Sequence, residues 1–239
     1  MASISLLVFF VLSHLLLLHS AELPNCSSFH CGKFGIIGFP FFNTKYPFCS
    51  GLLAVNCDGT PPTIRLEGNG GPYEVINISY TNTTQSTRIK DLLLSDNLNT
   101  QKCQFLTNLT FSNSPSISYE ITSPKQTLFK CNRTLDITSP ENFKNISCGD
   151  YNIYYSQSNH SSPSSSECSI IQLPRKEHPD KDELFSIVSA EFDLELHVSD
   201  SCSSCHARGG SCGYDTGKFY CSNAKKGKFT LVLKGTSIT

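Results

Sequence analysis

The alternation of apolar and polar residues is clearest over residues 190–198, which read AEFDLELHV. The even-numbered positions hold Ala, Phe, Leu, Leu and Val, and the odd-numbered positions hold Glu, Asp, Glu and His. This period of two predicts a β-strand with one face on the core and the other in solvent. We therefore expect the acidic side chains of this strand to face water.

A β-hairpin is predicted where residues 62–67 and 73–80 flank a glycine-rich turn at 68–71. Within the second run, uninterrupted alternation places Ile76, Ile78 and Tyr80 on one face and Asn77 on the other. Glycine and proline recur along the chain, and no long segment shows the helical period. The patterns therefore predict an all-β fold.

The chain begins with an apolar run, Ile4–Leu18, that ends before His19-Ser20-Ala21. This run has the length of a signal-peptide core and is shorter than the roughly 20 residues of a membrane helix. We interpret residues 1–21 as a signal peptide, with an uncleaved anchor as the alternative. Later apolar stretches are broken by glycine and proline, so the sequence predicts a secreted chain without a membrane span.

The 12 cysteines, an even number, suit a secreted chain in which thiols pair as disulfides. The last four lie close to His206, a cluster that would suggest zinc in a cytosolic protein. In a secreted chain we interpret this cluster as two disulfides, and we expect no metal site and no cofactor. The cysteines expected to pair are Cys26, Cys31, Cys49, Cys57, Cys103, Cys131, Cys148, Cys168, Cys202, Cys205, Cys212 and Cys221.

Seven Asn-x-Ser/Thr sequences are possible glycan acceptors, and none has proline in the middle position. In a secreted chain they predict several glycans on a largely solvated surface. They begin at Asn25, Asn77, Asn82, Asn108, Asn132, Asn145 and Asn159.

The net charge is near −1, from 19 basic and 20 acidic residues, which argues against a nucleic-acid-binding protein. The charge is uneven: residues 22–113 are balanced, residues 114–200 carry a net −6, and residues 201–239 carry a net +5. This predicts a module boundary near residue 113. The boundary leaves 5 cysteines before it and 7 after it, so either one disulfide crosses it or it is misplaced.

Catalysis is not indicated. Glu191, Asp193 and Glu195 alternate on one strand face, at a spacing that two glycosidase carboxylates can have, but we interpret them as ordinary solvent-facing charges. The chain holds no HExxH and no phosphate-binding loop. Its one G-x-S-x-G sequence, GGSCG at 209–213, lies in the C-terminal cysteine cluster that we interpret as two disulfides, so we do not interpret it as a nucleophile turn. We therefore expect a binding protein and keep a hydrolase only as a third hypothesis.

Residues 34–48 are rich in aromatic side chains, of which Phe39, Phe41 and Phe42 are expected in the core. Basic side chains nearby are better ligand candidates, because they are not buried unpaired and can bind sugar carboxylates. The candidate ligand-binding residues are Lys33, Lys45, Arg65, Arg88 and Lys90.

The order of these residues resembles the extracellular region of plant wall-associated receptor kinases. Residues 31–36 (CGKFGI) and 39–42 (FPFF) resemble the opening of the family's galacturonan-binding module, and residues 49–57 (CSGLLAVNC) resemble its next segment. Residues 62–94 continue the likeness, with a YxVxxIxY strand and a basic RIxxLLL strand.

The second half resembles the associated C-terminal module of the same family. Residues 129–131 (FKC) resemble the F-x-x-C that opens it, and residues 192–213 resemble its closing cysteine and glycine pattern. The family tryptophan is absent, with Leu196-His197 in its place, and one cysteine of the final C-x-C is missing after Cys221. The chain is similar to leaf-rust-resistance-type receptor-like kinases, without a membrane span or kinase.

The resemblance implies two small cysteine-rich β modules in tandem. They are a galacturonan-binding-like module at 22–113 and a C-terminal module at 114–221, with a signal peptide at 1–21 and a basic tail at 222–239. The implied function is binding of an anionic cell-wall polysaccharide, pectin or galacturonan, by a secreted protein in the plant cell wall. Full-length relatives would be plasma-membrane receptors. The alternative is a module that binds a protein or peptide, acting as a soluble receptor decoy in defence.

Overall fold

A computed structural model describes residues 28–46, 51–66, 71–80, 85–111, 114–134, 143–156, 168–216 and 218–222. The described chain is mostly β-structure, which confirms the all-β, cysteine-rich prediction. Its strands are β1 Ser28–His30, β2 Ile36–Gly38, β3 Phe41–Asn43, β4 Leu53–Asn56, β5 Thr63–Arg65, β6 Tyr73–Tyr80, β7 Gln85–Asp91, β8 Ile117–Ile121, β9 Lys125–Asn132, β10 Lys144–Cys148, β11 Tyr151–Tyr155, β12 Ser169–Pro174, β13 Glu191–Val198, β14 Ser211–Asp215 and β15 Lys218–Ser222. Its α-helices are α1 Leu92–Asn99, α2 Leu184–Ile187 and α3 Asp200–Ala207, and 3-10 turns lie at Gly32–Phe34 and Cys103–Phe105.

A seven-stranded sheet in the order β3-β4-β5-β6-β7-β13-β8 forms the larger part of the fold. Its neighbours are antiparallel except for β3 and β4, which are parallel. Strand β13 alternates as predicted, with Phe192, Leu194 and Leu196 buried and the acidic residues between them directed to the other face. The apolar core side chains of this sheet lie on one face, so the sheet has an inner face on the core and an outer face that carries its charged side chains.

The predicted hairpin of 62–67 and 73–80 is confirmed by the antiparallel pairing of β5 with β6. The predicted alternation along β6 is wrong, because a β-bulge lies between Val75 and Asn77. The bulge adds one residue to β6, so Val75 and Ile78 both contact the inner core although their numbers differ in parity. Asn77 is exposed, as expected.

The likeness to a basic RIxxLLL strand is also only partly right. Strand β7 ends at Asp91, and Leu92–Leu94 form the first turn of α1 instead of extending the strand. The Asp91 carboxylate accepts a hydrogen bond from the backbone N–H of Leu94 at 2.8 Å. This side-chain cap satisfies a donor at the helix N-terminus and explains why the strand stops here.

A smaller sheet has the order β10-β11-β9-β12, and all of its strands are antiparallel. Both of its faces hold buried side chains. One face, with Leu128, Ile153 and Leu173, packs in the same cluster as residues of α1 and α2, and the other carries Phe129 and Tyr154. Two disulfides support it, Cys103–Cys148 and Cys131–Cys168.

The predicted boundary at residue 113 does not separate the two sheets. Strands β8 and β13 follow residue 113 in the chain but belong to the seven-stranded sheet. The Cys103–Cys148 disulfide also crosses this position, which is one of the two outcomes that the odd cysteine counts required. The module boundaries stay a prediction, and the predicted signal peptide and most of the basic tail lie outside the described residues.

The C-terminal cysteine cluster forms two disulfides, Cys202–Cys212 and Cys205–Cys221, as predicted. They join α3 to the β14–β15 hairpin. A fifth pair, Cys31–Cys57, ties the first 3-10 turn to the end of β4. Every cysteine that the structure describes is therefore paired, while Cys26 and Cys49 lie outside the described residues.

Candidate functional site

The five predicted ligand-binding cations do not form one patch. Lys33 lies in the first 3-10 turn, with its Nζ 5.1 Å from the centroid of the Phe34 ring. Lys45 follows β3, and its Nζ lies 3.9 Å from a carboxylate oxygen of Asp58. Neither residue belongs to the strands that carry the other three candidates.

Arg65, Arg88 and Lys90 lie on the outer face of the seven-stranded sheet. Arg88 and Lys90 flank the buried Ile89 of β7, and Arg65 ends β5 beside the buried Ile64. Tertiary structure therefore brings three of the five predicted cations to one face, which the sequence alone did not show.

Carboxylates alternate with these cations across the sheet. Lys90 is directly opposite Glu191 of β13 and Glu74 of β6, and Arg88 is opposite Asp193. Side chains at such positions have Cβ atoms about 4.5–5.5 Å apart, and opposite charges there attract. The described strands place three cations and five carboxylates on the outer face, the carboxylates being Glu74, Glu120, Glu191, Asp193 and Glu195. The outer face as a whole is therefore not a positive surface.

A cleft of about 450 Å³ changes this picture locally. Arg88 and Lys90 of β7 line this cleft, and so do Arg175 and Lys176, which directly follow β12. The cleft also holds the carboxylates of Glu177, Glu191 and Asp193, so its four Lys and Arg side chains exceed its carboxylates by one.

Sequence reasoning missed Arg175 and Lys176. They lie in the segment with a net charge of −6, outside the residues that resemble the galacturonan-binding module. The sequence feature that could have identified them is local. Two adjacent basic residues directly follow a strand, and His178, which also lines the cleft, comes two positions later. The net charge of the whole segment does not reveal a local basic pair of this kind.

Hydrogen bonds between segments of the two sheets connect residues that line the cleft. The Ser123 hydroxyl accepts a hydrogen bond from the Asp193 N–H at 2.8 Å, and the adjacent Pro124 carbonyl accepts one from the Arg175 N–H at 2.7 Å. Gln126, which is fully buried, accepts a hydrogen bond from the Arg175 guanidinium at 3.4 Å. Residues from both sheets are thus fixed around one turn.

The carboxylates in the cleft do not form a glycosidase pair. A glycosidase acid is a carboxyl group that burial keeps protonated beside a second carboxylate. Glu191 is exposed, and both it and Asp193 have a cation directly across the strand pair. This arrangement favours ligand binding over hydrolysis.

Shifted pKa values occur elsewhere in the described structure. Burial, helped by the Asp91 charge, raises the pKa of Tyr73 to about 12 on the inner face of the large sheet. Burial lowers the pKa of His206, whose ring stacks on Phe39 with a centroid separation of 4.0 Å. These two groups have structural surroundings and do not line the cleft.

Four of the seven glycosylation sequences lie in the described residues. Asn77 and Asn145 are exposed on strands, and Asn132 accepts hydrogen bonds from Thr134. Asn108 differs, because its side-chain amide bonds to the backbone of β12 on both sides: it donates to the Ile170 carbonyl at 3.2 Å and accepts from the Gln172 N–H at 2.7 Å. Asn25, Asn82 and Asn159 lie outside the described residues.

The described residues form a cysteine-rich, mainly β structure with a charged cleft. Comparison with known proteins shows the family to which this structure belongs. Residues 26–91 match the family described as wall-associated receptor kinase galacturonan-binding, and residues 124–226 match the wall-associated receptor kinase C-terminal family. The chain therefore belongs to the extracellular modules of wall-associated receptor kinases. Neither matched family is a catalytic domain.

A curated relative agrees with this assignment. The chain is 30% identical over 227 residues to the leaf rust 10 disease-resistance locus receptor-like protein kinase-like 1.1 of Arabidopsis thaliana. The match covers 94% of this chain and 34% of the relative, so the chain spans about a third of that protein. No solved structure matches the chain. Among the described helices, none has both the length and the apolar character needed to cross a bilayer.

Proposed function

We propose that this chain is a secreted ectodomain that binds galacturonan, the anionic polysaccharide of pectin, and does not catalyse a reaction. The observation that carries the proposal is the match of residues 26–91 to the galacturonan-binding family. The cationic residues around the cleft supply a physical basis, because Lys and Arg side chains pair with carboxylates such as those of galacturonate.

The attraction is electrostatic and repeated along the polymer. One exposed cation paired with one carboxylate contributes only ~0–1 kcal/mol. Several such contacts on one polymer combine into useful affinity, because each bound sugar raises the effective concentration of the next. Substituting Lys33, Lys45, Arg65, Arg88 or Lys90 singly should therefore weaken binding a few-fold, whereas removing several together should abolish it.

The test compares de-esterified with methyl-esterified galacturonan at low and high salt. De-esterified polymer should bind more tightly, since methyl esters remove the charges. Its binding should weaken as salt rises past physiological strength, where the Debye length falls below ~8 Å. Equal affinity for both polymers at every salt concentration would contradict the proposal and favour the protein- or peptide-binding decoy instead.

Secretion, cell-wall location and glycosylation belong to the same proposal. Residues 1–21 act as the signal peptide, and glycans are attached at exposed sequences such as Asn77 and Asn145. Expression in plant cells should yield a protein in the medium whose mature chain starts after residue 21. Glycosidase treatment should then lower its mass in steps, and an intracellular, unshifted product would count against this part.

A further inference from the structure

We infer that the carboxylated ligand binds in the cleft between the two sheets, so that the C-terminal module supplies half of the site. This inference rests on the proposed function and deepens it, because the galacturonan-binding family match ends at residue 91. Arg175 and Lys176 lie far beyond that match, yet they line the same cleft as Arg88 and Lys90.

The chemistry of the cleft fits a uronic acid. Such a sugar presents a carboxylate, several hydroxyls and an apolar ring face. The cleft is lined by cations from β7 and from the segment after β12, by polar residues such as Asn99 and Ser123, and by the aromatic residue Phe185. Its volume of about 450 Å³ lies within the range typical of ligand sites. A short stretch of the polymer can therefore satisfy charge, hydrogen bonding and packing at one place.

The three carboxylates in the cleft limit its positive charge and make position important. Asp193 and Glu191 face Arg88 and Lys90 across the strand pair, which orients the cations and leaves carboxylate oxygens as acceptors for sugar hydroxyls. A binding site with nearly balanced charge selects its ligand by where its charged and polar groups lie, more than by its total charge. A highly sulfated polyanion should therefore gain little from its denser charge.

The cleft is held in shape before any ligand binds. Arg175 lies in an isolated β-bridge with Val188, and its backbone also bonds to Pro124. The Asp91 N–H donates to the Ala190 carbonyl at 2.9 Å, which joins the end of β7 to the start of β13. The two connections between the sheets, from β8 to β9 and from β12 to β13, therefore both contribute residues to the cleft. A site that is preorganised in this way loses little entropy on binding.

The experiment measures binding of a galacturonate trimer and of long de-esterified galacturonan to four forms of the full chain. The forms are wild type, Arg88→Ala/Lys90→Ala, Arg175→Ala/Lys176→Ala, and the control Lys181→Ala/Lys218→Ala, whose two exposed lysines lie outside the cleft lining. All three variants lose two positive charges, so any effect of net charge is the same in each. Only the first two variants alter the cleft.

The inference predicts that both cleft variants bind the trimer about fivefold to thirtyfold more weakly than wild type, since two contacts are lost at ~0.5–1 kcal/mol each. The control should change affinity less than about twofold. If the Arg175/Lys176 variant matches the control, the composite site is wrong, while binding of the long polymer would still support the proposed function. If wild type binds neither ligand, the proposed function fails and the inference fails with it.

A second pair of variants separates binding from folding, because Arg175 also bonds to the buried Gln126. Lys176 and Lys181 are both exposed, but only Lys176 lines the cleft. Lys176→Glu should weaken trimer binding at least fivefold, whereas Lys181→Glu should leave it unchanged, with equal melting temperatures for both. Equal effects of the two reversals on trimer affinity would overturn the composite site.

Discussion

The two main sheets of this protein differ in whether one face or both faces hold buried side chains. The seven-stranded sheet buries one face and exposes a mixed-charge face, so its strands alternate between apolar and polar residues. The four-stranded sheet holds buried side chains on both faces, as the consecutive buried residues Leu128 and Phe129 of β9 show. A strand that buries side chains on both faces holds apolar residues at consecutive positions, whereas a strand with one solvated face alternates between apolar and polar residues.

Disulfides and side-chain hydrogen bonds also stabilise the smaller sheet. Two disulfides reach it, and Gln126, fully buried in β9, donates hydrogen bonds to the carbonyls of Ser156 at 2.9 Å and Thr127 at 3.0 Å. The Asn108 side chain pairs with the free edge of β12. The larger sheet holds an apolar cluster in which Phe192 packs edge-on against Tyr73.

The largest effect is expected in the core of the seven-stranded sheet. Phe192→Ala should lower the free energy of unfolding by ~3–5 kcal/mol, because it removes a fully buried ring and leaves a cavity. Denaturant titration measures this change. Glu195→Ala, on the outer face of the same strand, is the control and should change stability by less than ~0.5 kcal/mol. Similar losses for the two variants would show that the sheet is not one-sided.

The next largest effect concerns the smaller sheet. Replacing Cys131 and Cys168 together by alanine should cost ~2–4 kcal/mol, because their bond closes a loop with a sequence separation of 37. Hydrogen exchange should become faster in β9 and β12 and stay slow in β13. Faster exchange in both sheets together would mean that the two sheets unfold as one unit and that the contrast between them is wrong.

A smaller loss is expected from the edge of β12. Asn108→Ala removes two hydrogen bonds to that strand and should cost ~1–2 kcal/mol. Asn145→Ala removes an equivalent exposed glycosylation sequence and should be nearly neutral. Thermal melts of both variants, made in protein without glycans, isolate the hydrogen bonds. No difference between the two would show that the edge does not need this side chain.

The smallest effect involves the stack of His206 on Phe39. Burial lowers the pKa of His206 below its ordinary value of 6.5, so the unfolded chain takes up the proton more readily than the folded one. Stability should therefore fall slightly as the pH drops through that range. His206→Phe keeps an aromatic ring and should remove this component of the pH dependence. Melting curves from about pH 8 to about pH 5 test it, and an unchanged profile in the variant would assign the effect to other groups.

Predictions from the sequence were most successful where the pattern is local. The alternation of β13, the β5–β6 hairpin and the two C-terminal disulfides were all predicted and confirmed. The bulge in β6 was missed, since it depends on pairing with β7 rather than on residue order. The start of α1 was also missed, although the Asp91 cap could have marked it.

The sequence by itself determined the fold class, the two disulfides of the C-terminal cysteine cluster and the supply of basic side chains, because each depends on residue type and short-range spacing. Tertiary structure alone decided which of those side chains meet. It inserted β13, about a hundred residues distant in the chain, beside β7, which set carboxylates opposite Arg88 and Lys90. The connection from β12 to β13 likewise places Arg175 and Lys176 in the same cleft as Arg88 and Lys90. Contacts of this kind depend on how the strands order in the sheets, which local hydrophobic patterns do not specify.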